Sequence, residues 1–481
     1  MRLANPLEAK LQDEPFALRV LDSLESPADA AGLARLREGL ADADLAAPPV
    51  ALPDFHLKDD KEMPSSIAVA TAGTIRPTLT SASVNCGMTL IATDLPRPDV
   101  RAVTDFYRRL CERYPYPPTY RRDLTAEEVV RCAAEGGDYA ATRFGVDPAE
   151  LERVEERGRL DVARYGGLER VRRELPWSVL QLSRIRFGTI GPSNHFAELQ
   201  EVEEILDPSA AELLGVARGQ ITLQFHGGGG SLPGELGMLF GRRKRYPWPV
   251  RIQMAVQKPL YHLGRARSVK ELRRRRALYF SPQYPPIDRD SDEGERLLLA
   301  NAMAMNYGFA FRLSTYANLR TLLREAFGAT ETRLIVDSPH NSIYEEEING
   351  KSAIVHRHNS ARAYPASRMQ GHPIFGQTGQ PLLVPGTNRT SSYLCVTAAQ
   401  AATSLYSAPH GAGANVKTFV QRGLSKSDSH GRTTLRFRYS NAEPAEVQQL
   451  DDRGVDDVIE VLRRNGVARP VARLRPFAVL N

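Results

Sequence analysis

Apolar and polar positions follow different rhythms along this chain. From residue 1 to about 50, Leu, Ala and Val recur among Asp, Glu and Arg at helical spacing and stop at Ala46-Ala47-Pro48-Pro49. That predicts a helical N-terminal extension over 1–50, one or two short helices followed by a loop. Residues 66–94 change character. The run Ser66 to Thr71 and the run Ser83 to Thr93 are β-branched or small, broken by Gly73 and Pro77, which predicts buried strands and tight turns. Helical spacing returns from Pro98 to about Glu174 and again from Gly294 to Ala326. Short strand-like runs with glycine turns occupy 186–198, 221–230, 334–343, 382–396 and 408–416. There is no internal repeat at the spacings of repeat proteins and no low-complexity linker, so the expectation is an α+β fold, a single large mixed domain of β-sheets flanked by helices, over 1–481.

Composition changes this picture little. Hydrophobic residues make up 42% of 481, enough for a substantial core. The formal charge of +6 is spread among 63 basic and 57 acidic residues, so the total argues weakly for a polyanionic partner and local clustering matters more. Arg242-Arg243-Lys244-Arg245-Tyr246 with Trp248, and Arg273 to Arg276 with Tyr279 and Phe280, combine phosphate-pairing charge with stackable rings. They make 241–281 a candidate nucleic-acid-facing region, although Lys270 and Glu271 leave an ordinary solvated helix face open for the second run. Four cysteines in so long a chain form no disulfide framework, and no apolar segment reads as a signal peptide or membrane span. A soluble, cytoplasmic protein without a membrane partner is expected.

Chemistry gathers at strand ends. Asn194-His195-Phe196, Phe225-His226-Gly227, Pro339-His340-Asn341 and Pro409-His410-Gly411 each place an imidazole where an apolar run stops. Cys86 lies in Val84-Asn85-Cys86-Gly87-Met88, and a thiolate with several imidazoles suits zinc, manganese or iron. The ligands are too scattered for a zinc finger; a buried inert thiol is the bland alternative. Gly227 to Gly230 and Gly411-Ala412-Gly413 leave room for an anion or a bulky ligand, and neutral histidine is a competent phosphorus nucleophile.

Taken in order, these segments resemble the RtcB family of RNA ligases along nearly the whole chain. Pro53-Asp54-Phe55-His56 is similar to the family's Pro-Asp-Val-His, and Asn85-Cys86-Gly87-Met88 to its cysteine motif. Gly188 to Glu198 resembles Gly-Thr/Ser-Leu-Gly-x-Gly-Asn-His-Phe-x-Glu, His226 with its glycines His-Ser-Gly-Ser-Arg-Gly, and Ser338 to Asn341 Val-Ser-His-Asn. Val355 to Ala363, Pro385-Gly386-Thr387 and His410 to Gly413 complete the set. The resemblance implies manganese, one or two ions, on Cys86, His195, His226 and His340, and GTP as cofactor, with the guanylate carried by His410 and Asp54 holding its tautomer. It implies that Asn194, His195, Phe196, Ala197, Glu198, His340, Asn341, Pro385, Gly386, Thr387, Asn388, Ser392, His410, Gly411, Ala412 and Gly413 surround the nucleotide. The substrate would be RNA with 3′-phosphate (or 2′,3′-cyclic phosphate) and 5′-hydroxyl ends, as in tRNA splicing or RNA repair. The enzyme would be a monomer, with an archease-like activator among its candidate partners.

The chain also departs from that pattern. A metal-binding aspartate of the family falls at Ser83, and cations that face RNA phosphates fall at Gly230, His358 and Ala414; a C-terminal lysine falls at Asn481. Arg389, Arg357, Arg362 and Lys417 are the candidate replacements. Three readings stay open at this point: the ligase, a metal-dependent phosphoesterase or end-capping guanylyl transferase, and a non-catalytic RNA-end-binding paralogue.

Overall fold

The computed structural model describes residues 16–59, 61–116, 119, 121–191, 194–241, 245–282 and 284–481. Two sheets meet in a single α+β domain. The larger has nine strands; along its main path run Pro381–Val384, Ser392–Thr397, Ala468–Leu480, Phe196–Ile205, Ile221–Gly227, Gly87–Thr93 and Thr332–Pro339, all neighbours antiparallel. The smaller runs Arg19–Val20, Val50–His56, Ser65–Thr71, Lys351–His358, Asn341–Ile348. One residue, His340, separates the last strand of the first sheet from the edge strand of the second. A chain that must change sheets over one residue holds that residue tightly at the junction.

The Asp292–Phe327 helix is the internal axis of the domain. Ser291 caps it by accepting from Gly294 N–H, and it is buried on all sides through most of its length. Small residues such as Ala300, Ala304, Gly308 and Ala310 allow the helices Val100–Arg113, Ala126–Glu135, Gly137–Phe144 and Ser231–Phe240 to pack around it. No described helix is long and apolar enough to cross a membrane.

Of the one or two short helices expected over 1–50, the described part shows one. Within the described part only Ala30–Leu40 is helical, capped by Asp29, while Arg19–Val20 pairs as a parallel edge strand with Val50–Ala51; residues 1–15 lie outside the described residues. The expected run over 408–416 is half strand, Ser407–Pro409, and half helix, Gly413–Gln421. The strand expected over 186–198 begins only at Phe196 and continues to Ile205.

Candidate active site

Register brings the strand-end residues to one edge of the large sheet. Gly87 pairs with Gly227 and with Pro339, and Phe196 pairs with His226, so Cys86, His195, His226 and His340 converge. Cys86 Sγ lies 3.1 Å from His226 Nε2 and 3.5 Å from His195 Nε2. Cys86, His226 and His340 form a buried group whose potential ligand atoms all lie within 4.8 Å of one another. His195 touches the same sulfur but lies outside that group. The imidazoles continue in a row, with ring centroids 4.9 Å apart from His195 to His226, 4.9 Å from His226 to His340 and 4.7 Å from His340 to His410.

Two residues the sequence did not single out build the floor beneath the thiol. Arg312, from the central helix, makes a bidentate pair with Asp337 at 2.8 and 2.7 Å and donates to the Asn85 carbonyl at 2.6 Å. All of this is buried. Asn85 is held at φ 54°, and Gly308 is required beside it because a Cβ there would meet the Asn85 side chain at 2.8 Å. Gly87 is likewise needed: its Cβ would lie 2.7 Å from the Arg312 guanidinium carbon. An arginine inside an apolar-looking helix gives no sign in sequence of which loop it braces.

Burial fixes the protonation states. It pushes His410 down to about 3 and His195 to about 4, and holds His226 and His340 well below the ordinary imidazole range, so all four rings are neutral at physiological pH. Burial pushes the Cys86 thiol up to about 12, which calls for a nearby cation if it is to ionise. His226 Nδ1 lies 2.8 Å from the Asn194 carbonyl, which orients Nε2 toward the sulfur when Nδ1 carries the proton.

A cavity of about 660 Å³ opens beside His226 and His410. Of the expected nucleotide residues, Asn194, Phe196, Glu198, Pro385, Gly386, Thr387, Asn388, Ser392, His410, Gly411 and Gly413 line it. His195, Ala197, His340, Asn341 and Ala412 are not among its lining residues. Burial raises the Glu198 carboxyl to about 8, so it is largely protonated at neutral pH. Asn481 also lines the cavity, its Oδ1 accepting from Arg436 Nε.

No hydrogen bond joins Asp54 to His410 in this structure. Its carboxylate accepts from the Asn415 backbone N–H at 2.8 Å, at the N-terminus of the Gly413–Gln421 helix, while His410 Nδ1 is buried with no hydrogen-bond partner among the described residues. The helix terminus offers unsatisfied N–H donors, and the short carboxylate, at φ 63°, is taken up by them.

The replacement cations divide sharply. Arg357 is buried against Glu346, and Arg362 against Glu155 and Glu156, so both are structural. Arg389 donates through Nε to the Gln448 carbonyl. Lys417 lines the cavity one helical turn after Ala414, and Lys58, which sequence reasoning missed, lines it too. Gly230 sits at φ 70° with Phe311 where a Cβ would point, so this backbone excludes an arginine. His358 is buried and pushed down to about 3. Ser83 serves through its carbonyl, which accepts from Cys86 N and Asn341 Nδ2.

The basic region is corrected in part. Arg275 is buried between Glu271 and Glu293, and Tyr279 is buried and stacked on His262 at 3.6 Å, so the guanidinium is spent on carboxylates and the ring on another ring. Arg242, Arg243 and Lys244 lie outside the described residues, as do Pro192 and Ser193.

A family model described as tRNA-splicing ligase RtcB matches residues 41–481. The tRNA-splicing ligase RtcB of Aeropyrum pernix is 26% identical over 438 residues, covering 85% of this chain and 82% of the relative. The protein of the same name from Pyrobaculum aerophilum is 26% identical over 468 residues, 90% of this chain and 87% of the relative. The one from Pyrococcus abyssi is 27% identical over 423 residues; the match takes in 82% of this chain but 42% of that relative.

Proposed function

The chain belongs to the RtcB family of RNA ligases, and on that premise we propose that it joins RNA 3′-phosphate (or 2′,3′-cyclic phosphate) and 5′-hydroxyl ends, with GTP as cosubstrate. The observation that carries this reading is the row of neutral imidazoles running from the Cys86 cluster to His410 on the wall of a nucleotide-sized cavity. Cys86, His226 and His340 would hold Mn2+, since a thiol and two neutral imidazoles within ligand reach suit a divalent transition metal. His195 reaches the same thiol at 3.5 Å, and Ser83 offers a second ion no carboxylate. When bound, the metal neutralises phosphate charge.

The chain's own residues supply the rest. A ring nitrogen of His410, unprotonated because the ring is buried, attacks the α-phosphorus; a P–N bond forms and pyrophosphate leaves. A 2′,3′-cyclic end is first opened by water, which breaks the 2′-O–P bond and leaves a 3′-phosphate; the guanylate passes to the RNA 3′-phosphate, freeing His410, and the 5′-hydroxyl then displaces GMP as the phosphodiester forms. Lys58 and Lys417 take the electrostatic role that Gly230, His358 and Ala414 have given up. Glu198, largely protonated, offers a donor to the base while Phe196 walls the cavity.

Purified protein with GTP, Mn2+ and a pair of such RNA ends should give a joined product that His410→Ala abolishes. No joining of either kind of 3′ end by folded, metal-loaded protein would reject the proposal.

A further inference from the structure

Away from the metal cluster, a second cleft of about 970 Å³ opens between the Gly167–Glu174 helix, the Val269–Phe280 helix with its preceding loop, and the first turns of Asp292–Phe327. Eight of its lining side chains are Arg or Lys and four are carboxylates. Two of the carboxylates, Glu174 and Glu271, are held inward, while Asp292 and Glu295 are exposed and lie beside Arg274 and Arg170. Glu174 lies near Arg296 and Arg170, and Glu271 pairs with Arg275, giving a rigid floor in which Arg275 and Arg296 are buried. At the mouth, Arg173, Arg267 and Lys270 are exposed and make no ion pair with any described residue. Charge is thus fixed underneath and left open on top.

The lining also says what does not bind. Among the described residues it contains no aromatic side chain, so these offer no platform on which unpaired bases would stack, as single-strand sites require. Nor does it contain an apolar one, so it offers no pocket for an aromatic or aliphatic anchor of a protein partner. What remains is a surface for repeated phosphates whose bases are turned away, as in an RNA duplex. Arg296 on the floor and Arg312 under the thiol lie on the same helix, about 24 Å apart at roughly 1.5 Å per residue.

We propose that this cleft is a second nucleic-acid site, gripping the phosphate backbone of a base-paired RNA arm whose ends are presented to the metal cluster. The identity of the polyanion as RNA rests on the proposed ligase function; the cleft's preference for backbone over bases rests on its own lining.

The test uses the full chain with Mn2+ and a fluorescent RNA hairpin with a stem of about 12 base pairs, binding followed by anisotropy at several salt concentrations. The combined variant Arg173→Ala, Arg267→Ala, Lys270→Ala should weaken hairpin binding at least about tenfold and flatten the salt dependence by about two to three log units per log unit of salt. Joining of short RNA ends should be unchanged, and a variant carrying Arg173→Lys and Arg267→Lys should bind like the parent. Unchanged hairpin affinity and salt slope would overturn the proposal. So would an equal loss for an unpaired strand of the same length, or lost binding of poly-glutamate with the hairpin unaffected, which would point to an acidic protein instead. Guanylation of His410 is read in the same preparations. Label without a distal-site effect rejects the cleft and spares the ligase reading; a distal-site effect without label supports the cleft as a polyanion site and rejects that reading.

Discussion

Asp54 shows how a single side chain is set by its surroundings. Burial raises its carboxyl to about 7, with the Asn415 and Ala414 N–H groups partly opposing the shift. Because the folded value lies above the unfolded one, Asp54 contributes stability that is present below about pH 4 and is lost as pH rises through about 7. Asp54→Asn should therefore flatten the fall in unfolding free energy over that window, by on the order of 2–4 kcal/mol at most. Denaturant titrations of both proteins at pH 4.5 and 8 check this; equal differences at the two pH values would contradict it. At the cavity wall, Lys417→Ala and Lys58→Ala should each raise the KM for RNA ends about tenfold or more while the protein keeps its stability, as expected for charge-assisted phosphate contacts of about 1.5–3 kcal/mol. Initial-rate kinetics with varied RNA would show it, and an unchanged KM in both variants would remove them from the site.

Among the elements, the central helix and the cysteine loop are joined by the Arg312–Asp337 pair, both residues fully or nearly fully buried. Arg312→Leu leaves a buried carboxylate alone and should cost about 3–5 kcal/mol; adding Asp337→Leu should restore much of it. Urea denaturation of the single and double variants separates this from mere loss of packing, since a double variant no better than the single would deny the pairing its role. The loop itself was legible in sequence only as a thiol followed by glycine, because the motif carries the ligand but not its support. Strand ends holding His226 and His340 were readable from β-branched runs that stop abruptly. The Ala468–Leu480 strand was not. Its Arg469, Arg473 and Arg475 and its two prolines argue against a central strand, yet bulges between Arg473 and Leu474 and between Pro476 and Ala478 let it pair on both sides. Phe196–Ile205 was hidden in the same way by Glu198, Glu201, Glu203 and Glu204; Arg97, Arg432, Arg473 and Arg475 from distant parts of the chain meet the last three, and Gln200 donates to buried Glu198. Likewise Arg357 and Arg362 read as free cations in sequence, and only tertiary pairing shows them to be spent on Glu346, Glu155 and Glu156.

Across the whole molecule, two sheets, one buried helix and a single-residue junction at His340 bring distant segments to one point, so metal binding and global stability are linked. Mn2+ at about 100 times its Kd should stabilise the protein by about 2.7 kcal/mol, and Cys86→Ala with His226→Ala should abolish that gain. Thermal melts with and without chelator would register it; the same shift in the double variant would place the ion elsewhere. The central claim is that the ring at the end of the imidazole row becomes covalently attached to a nucleotide. Incubating the metal-loaded protein with GTP labelled at the α-phosphorus and mapping the adduct should find one acid-labile guanylate, on His410. A label on any other residue, or none at all, would contradict the account.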